Sequence, residues 1–152
     1  MSPIEVSPVP GPDLREPLRL LEEWLRNGET VPEPFVAELR RHVEAGDLEL
    51  LAARLEGRMV GVLVLAFRLN VALGAPFASI EDFYVHPQAR RWGVGGALLQ
   101  AAHDRCRSRG ISYIEAQVEQ GAAGAFYAAS GYEAEPAVRV FSRSLPIGDS
   151  DE

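Results

Sequence analysis

The sequence predicts an α/β fold built on a mixed sheet. Three observations carry this: two N-terminal segments with helical apolar spacing, a strand hairpin behind them, and then alternating strand, helix, strand, helix and strand. A glycine-rich turn joins one of those strands to the longest helix.

In chain order, Pro3, Pro8, Pro10 and Pro12 limit the start to a short edge strand around Ile4 to Val9. Asp13 is placed to cap a first helix that carries Leu14, Leu18, Leu21 and Leu25, ended by Gly28. A second helix from about Pro34 puts Phe35, Leu39 and Val43 on one face and stops at Gly46. Leu48 to Leu55 and Met59 to Leu69 read as strands joined through Glu56-Gly57-Arg58. Asn70 to Ala78, with Gly74 and Pro76, reads as a loop. Ser79 to Val85 is a strand stopped by His86-Pro87. The helix from Val94 to Arg109 carries a stripe of Val94, Leu98, Ala102 and Cys106. Ile111 to Val118 reads as a strand, Ala122 to Ser130 as a short helix closed by Gly131, and Val138 to Leu145 as a last strand by its alternation. With no internal repeat and no linker, a single domain over residues 1–146 is expected, followed by an acidic disordered tail over 147–152.

The 152 residues are 47% hydrophobic, enough for one sizeable core. The net charge of −7 argues against nucleic acid as a partner, because phosphate binding needs a basic face. A membrane partner is not expected, since no run approaches the roughly 18 apolar residues of a span. Met1-Ser2-Pro3-Ile4-Glu5 lacks the form of a secretion signal, so a cytoplasmic location is expected. Cys106, the one cysteine, permits no internal disulfide, and it reads as core filler. His42, His86 and His103 have no ligand spacing, and no metal is expected.

The sharpest local signal is Gln88-Ala89-Arg90-Arg91-Trp92-Gly93-Val94-Gly95-Gly96-Ala97. Glycines let a ligand approach the backbone, and the first free N–H groups of a helix attract anions. Arg90 and Arg91 add positive charge suited to phosphate. The plainer reading is a tight helix start with solvated arginines and Trp92 packed over it. A Walker loop is excluded by the missing Gly-Lys-Ser/Thr. Gly93-Val94-Gly95 also resembles the opening of a dinucleotide fingerprint, but Leu98 stands where the third glycine belongs and the loop from His86 is too long.

Arg90-x-x-Gly93-x-Gly95 resembles the Q/R-x-x-G-x-G/A acetyl-CoA motif of the GNAT superfamily of N-acetyltransferases. Ile80-Glu81-Asp82-Phe83-Tyr84-Val85-His86-Pro87 is similar to the fourth strand of that family, and Ala125-Phe126-Tyr127-Ala128-Ala129-Ser130-Gly131-Tyr132 to its "FY-x-x-x-GF" segment. Two positions depart from the pattern: Arg91 where many relatives have Gly, and Gln120 where many have Asn. The resemblance implies a mixed, mostly antiparallel sheet flanked by about four helices. It implies acetyl-CoA between the strand ending at Val85 and the strand ending near Val118. Phe83, Tyr84, Val85, Arg90, Arg91, Gly93, Val94, Gly95, Gly96 and Gln120 would contact it, an amine would be the acceptor, and a homodimer would be in keeping with relatives.

Acetyl transfer to an amine needs proton removal, since at pH 7 roughly 0.04% of an alkyl amine is free base. It also needs stabilisation of charge on the carbonyl oxygen and on the departing sulfur. Glu81 and Asp82 are candidates for the base; strand alternation sends them to opposite faces, and resemblance favours Glu81. Tyr127 reads either as a core aromatic or, by resemblance, as the general acid. The acceptor site is expected between the first helical hairpin and the Asn70 to Ala78 loop, where Glu22, Glu23, Glu29 and Glu33 are compatible with a cation or simply with a solvated face. A non-catalytic acyl-CoA-binding or sensor domain is the alternative; it would need neither Glu81 nor Tyr127.

Overall fold

The computed structural model describes residues 3–118 and 122–147. Gln120 and the tail residues 148–152 lie outside them. The chain packs as two compact units, Met1–Gln117 and Val118–Glu152.

The first unit is a five-stranded sheet in the order β1-β2-β3-β4-β5. Its strands are β1 (Ile4–Pro8), β2 (Leu48–Leu55), β3 (Arg58–Asn70), β4 (Ala75–Val85) and β5 (Ile114–Ala116). The first four pair antiparallel and β5 joins β4 in parallel, so the sheet is mixed and mostly antiparallel. Helices α1 (Arg15–Arg26) and α2 (Glu33–Ala45) connect β1 to β2, and α3 (Val94–Ser108) connects β4 to β5.

β2 and β3 are continuous apolar runs because both of their faces are covered. Leu50, Ala52, Val62 and Val64 pack with Leu18, Leu21, Val36 and Leu39 of the α1–α2 hairpin. The opposite face carries α3, with Val94, Leu98, Ala102 and Cys106 buried as the stripe predicts. Glu56 and Gly57 both have positive φ (51° and 80°), the conformation of a two-residue hairpin whose twist matches its strands.

Several expectations need correction. Asp13 closes a short 3-10 turn, Gly11–Asp13, and does not cap α1, whose N-cap is Leu14. Leu25 and Phe35 are exposed, because the buried stripes run through Leu18 and Leu21 on α1 and through Val36 and Leu39 on α2. Asn70 to Ala78 is mostly strand: Asn70 pairs with Ala75, leaving a four-residue tip. Asn70 closes that tip, its Oδ1 accepting the Leu73 N–H at 3.0 Å and its carbonyl accepting the Gly74 N–H at 2.9 Å. β5 is shorter than Ile111 to Val118, holding to β4 only over Ile114–Ala116.

The second unit contains α4 (Ala122–Ala129), closed by Gly131 at φ 91°. The rings of Phe126 and Tyr132 meet Tyr127 edge-on, with centroids 5.5 and 5.1 Å away. No strand forms over Val138 to Leu145 among the described residues. Alternation makes a strand only where a neighbour takes up its hydrogen bonds. Here the Val138 N–H turns back to the Glu135 carbonyl at 3.0 Å, and Val138, Val140, Phe141 and Leu145 are exposed.

Candidate active site

The site in the first unit begins where β4 loses its parallel neighbour. β5 accompanies β4 only from Ala78 to Ile80, so Glu81 to Val85 continue with β3 on one side and no β5 on the other. Pairing between these two strands stops at Ile80 and Ala116, so β5 ends at Ala116 rather than near Val118. At the far end of β4 the chain enters a 3-10 turn, Pro87–Trp92. The His86 N–H donates to the Val60 carbonyl at 2.7 Å and Arg90 Nε to the Val85 carbonyl at 3.0 Å, which fixes the turn to the strand end. Gly93 then takes φ 83°, a left-handed conformation that strains any side chain, and serves as the N-cap of α3.

No side chain caps α3. Its first N–H groups, at Val94, Gly95 and Gly96, are therefore of the kind that helices leave for an external acceptor. A Cβ on Gly96 would meet nothing within 4 Å, so the surface there is open. Arg90 and Arg91 are exposed beside it, and so is Trp92, which lines a groove of about 430 Å³ with Arg58, His86 and Gln88. An uncapped helix start, an open glycine and two arginines at the end of β4 fit a pyrophosphate-bearing ligand.

Gly61 holds this arrangement together, and sequence reasoning overlooked it. It lies opposite Val85 and beneath α3; a Cβ there would fall 2.9 Å from Leu98, 3.1 Å from Val94 and 3.2 Å from the Tyr84 carbonyl. Its lack of a side chain lets the start of α3 sit against the end of β4. A glycine inside an apolar strand is the signal that marks such close approaches.

The two carboxylates depart from simple alternation. Val64 pairs with Asp82 but Leu65 pairs with Ile80, so β4 carries one extra residue, Glu81, as a β-bulge. Asp82 thereby shares the face of Val64 and Tyr84, which is the face of the α1–α2 hairpin. Glu81 joins it there, because its Oε2 accepts from Arg68 Nη2 at 2.5 Å, and Arg68 lies on the same face of β3 as Val64 and Ala66. The bulge thus brings together two acids that alternation was expected to separate. Asp82 is half-buried, and burial together with the charge of Glu81 holds its carboxyl above the usual aspartate range. Beside it, Tyr84 stacks on Trp24 of α1 at 5.1 Å. Phe83 and Val85 point to the α3 face with Leu63 and Gly61.

The family model of the acetyltransferase (GNAT) family matches residues 12–132, across both units. The chain belongs to the GNAT family. An aminoglycoside N(6′)-acetyltransferase type 1 of Klebsiella aerogenes is 32% identical over 100 residues, covering 63% of this chain and 66% of that enzyme, just under two-thirds of its length. The solved structure of an aminoglycoside acetyltransferase from an uncultured soil metagenomic sample superposes with a TM-score of 0.80 at 22% identity, covering 94% of this chain and 97% of that one. A transcriptional regulator from Bacillus halodurans superposes at 0.79 and 21% identity, over 94% of this chain and 100% of that one. Likeness at that level is likeness of fold, and a fold shared by differently named proteins does not choose a function.

Of the GNAT residues carried by resemblance, Phe83, Tyr84, Val85, Arg90, Arg91, Gly93, Val94, Gly95 and Gly96 occupy β4, its turn and the start of α3. Tyr127 belongs to the second unit. It is buried, and burial pushes its phenol up to about 12. Among the described residues no helix is long and apolar enough to cross a membrane, and no group of three or more His, Cys, Asp or Glu is placed to hold a metal ion.

Proposed function

We propose that this GNAT chain moves an acetyl group from acetyl-CoA to a primary amine of a small molecule or peptide by direct attack, as one cytoplasmic N-acetyltransferase domain over residues 1–146. The observation that carries the reading is β4 running on past the end of its pairing with β5 into an uncapped, glycine-opened α3. Acetyl-CoA supplies a thioester carbonyl. Gly93 to Gly96 with Arg90 and Arg91 would hold its pyrophosphate, and the Phe83 to Val85 backbone its pantetheine arm. The carboxylate pair of Glu81 and Asp82 would accept the amine proton, with Glu81 favoured by resemblance, and Tyr127 would donate to the departing sulfur. The similarity to aminoglycoside acetyltransferases favours an amino sugar as acceptor. A face holding two carboxylates suits a cationic amine of that kind.

The test has two stages. Acetyl-CoA at a hundred times its dissociation constant stabilises the protein by about 2.7 kcal/mol, and NAD or ATP at the same concentration does so much less. A panel of aminoglycosides, polyamines, amino acids and lysine peptides is then assayed for acetyl-CoA-dependent thiol release. A larger melting shift with NAD than with acetyl-CoA defeats the assignment. Binding without release on any amine points to an acyl-CoA sensor.

A further inference from the structure

Two carboxylates on one face raise the question of which receives the proton. Glu81 is committed: its carboxylate is held by the Arg68 guanidinium at 2.5 Å. Among the described residues Asp82 has no hydrogen-bond or ion-pair partner, although it is half-buried on the same face. A proton acceptor needs free lone pairs; Glu81 directs one of its oxygens to Arg68, whereas both Asp82 oxygens face no such partner among the described residues.

We propose that Asp82 takes the proton of the acceptor amine and that Arg68 makes that choice by holding Glu81 as a paired anion. The inference rests on the acetyltransfer reading above. In the step, the amine nitrogen bonds to the acetyl carbonyl carbon and the carbon–sulfur bond breaks. The amine proton passes to an Asp82 oxygen, and sulfur leaves with the bonding electron pair as the thiolate of free coenzyme. Arg68 touches none of the reacting atoms, so it is a positioning residue.

The surroundings of Asp82 support the division. Across from it on β3 is the apolar Val64, and two residues further along its strand on the same face is Tyr84, under Trp24 of α1. The buried acid of α1, Glu22, is turned to the Val31 N–H at 2.9 Å. Glu81 is the charged neighbour that acts on Asp82, and it favours the protonated form. Glu81 therefore assists the base without being it.

The experiment compares Asp82→Asn, Glu81→Gln, Arg68→Met and the double variant Arg68→Met/Asp82→Asn, using an amine that the wild-type protein acetylates. Asp82→Asn lowers kcat by about 10²-fold, the usual scale for losing a general base, with acetyl-CoA affinity within a few-fold. Glu81→Gln loses less and moves the acid limb of its pH profile to lower pH, because a like charge beside Asp82 is gone. In the free protein, carboxyl NMR shows the Asp82 titration moving the same way. Freed from Arg68, Glu81 becomes available, so the double variant recovers about tenfold or more of what Asp82→Asn loses. The Arg68 pair is exposed and worth little to stability, and melting curves verify that each variant folds; Arg68→Gln replaces any Arg68→Met that does not. A larger loss in Glu81→Gln than in Asp82→Asn, or no recovery in the double variant, overturns the proposal. A wild-type protein that acetylates no amine defeats the acetyltransfer reading instead.

Discussion

A phenol raised to about 12 by burial is a poor proton donor in bulk terms but a secure one. It stays protonated across the whole working range of an enzyme, so Tyr127 in its proposed role offers a hydrogen bond to developing thiolate charge. Complete transfer to a thiolate whose conjugate acid has a pKa of about 8.5 is uphill. Two outcomes follow from that chemistry. Tyr127→Phe keeps the ring between Phe126 and Tyr132 and loses only the hydroxyl, so kcat falls by roughly 10²-fold while acetyl-CoA affinity holds. The wild-type rate also shows no alkaline loss from this group below about pH 10, since the native form is protonated there. Steady-state kinetics with a binding titration check both. A parallel loss of affinity would make Tyr127 a holder of the cofactor. The short helix carrying Tyr127 was legible in sequence because its pattern is local; the bulge at Glu81 was not, because it exists only in the register between β4 and β3.

At the scale of elements, the start of α3 is positioned by close packing rather than by a cap. Val94 is fully buried and Leu98 with it, and both lean on the bare backbone of Gly61. Gly61→Val places a branched side chain where even one Cβ meets three groups inside ordinary contact distance. The expected result is a loss of about 1–3 kcal/mol in stability and a larger proportional loss of acetyl-CoA affinity than a surface substitution such as Arg19→Gln causes. Denaturant melts and isothermal titration measure the two. Unchanged affinity in a folded Gly61→Val protein would show that the helix start tolerates displacement and does not hold the ligand. The motif from Arg90 to Gly96 could be read from the chain alone, but its support lies in a strand about thirty residues earlier.

For the whole molecule, the sheet and α3 are tied by a buried acid. Glu49 of β2 accepts from Arg105 at 2.7 and 2.8 Å and from Arg109 at 2.9 Å, and Arg109 also lies 3.6 Å over the Phe67 ring. Burial works against the charge of Glu49, but the hydrogen bonds from Arg105 and Arg109 outweigh it and hold its carboxyl below the usual glutamate range. The native state thus binds this proton less readily than the unfolded chain does. The stabilisation is present above the ordinary glutamate pKa of about 4.3 and is lost as pH falls through the lower native value. Glu49→Gln costs about 1–3 kcal/mol at pH 7, and its deficit against wild type shrinks in acid below pH 4. Urea melts at pH 7 and pH 3 decide it; an equal deficit at both would assign the loss to packing.

The sequence by itself determined the parts that depend on near neighbours. The stripe from Val94 to Cys106 is a matter of helical period, the Glu56-Gly57 turn of backbone freedom, and the glycine turn after Val85 of the order of a few residues. Tertiary structure decided what depends on partners far along the chain. Register with β3 placed Glu81 and Asp82 on one face, and Arg68 of β3 then distinguished them. Pairing extended β3 and β4 through the segment expected as a loop, while Val138 to Leu145, with equal alternation, formed no strand. The physical reason is common to all of these. Side-chain periodicity fixes which face a residue wants, whereas a strand's hydrogen bonds, and hence its register and extent, belong to the neighbour that completes them.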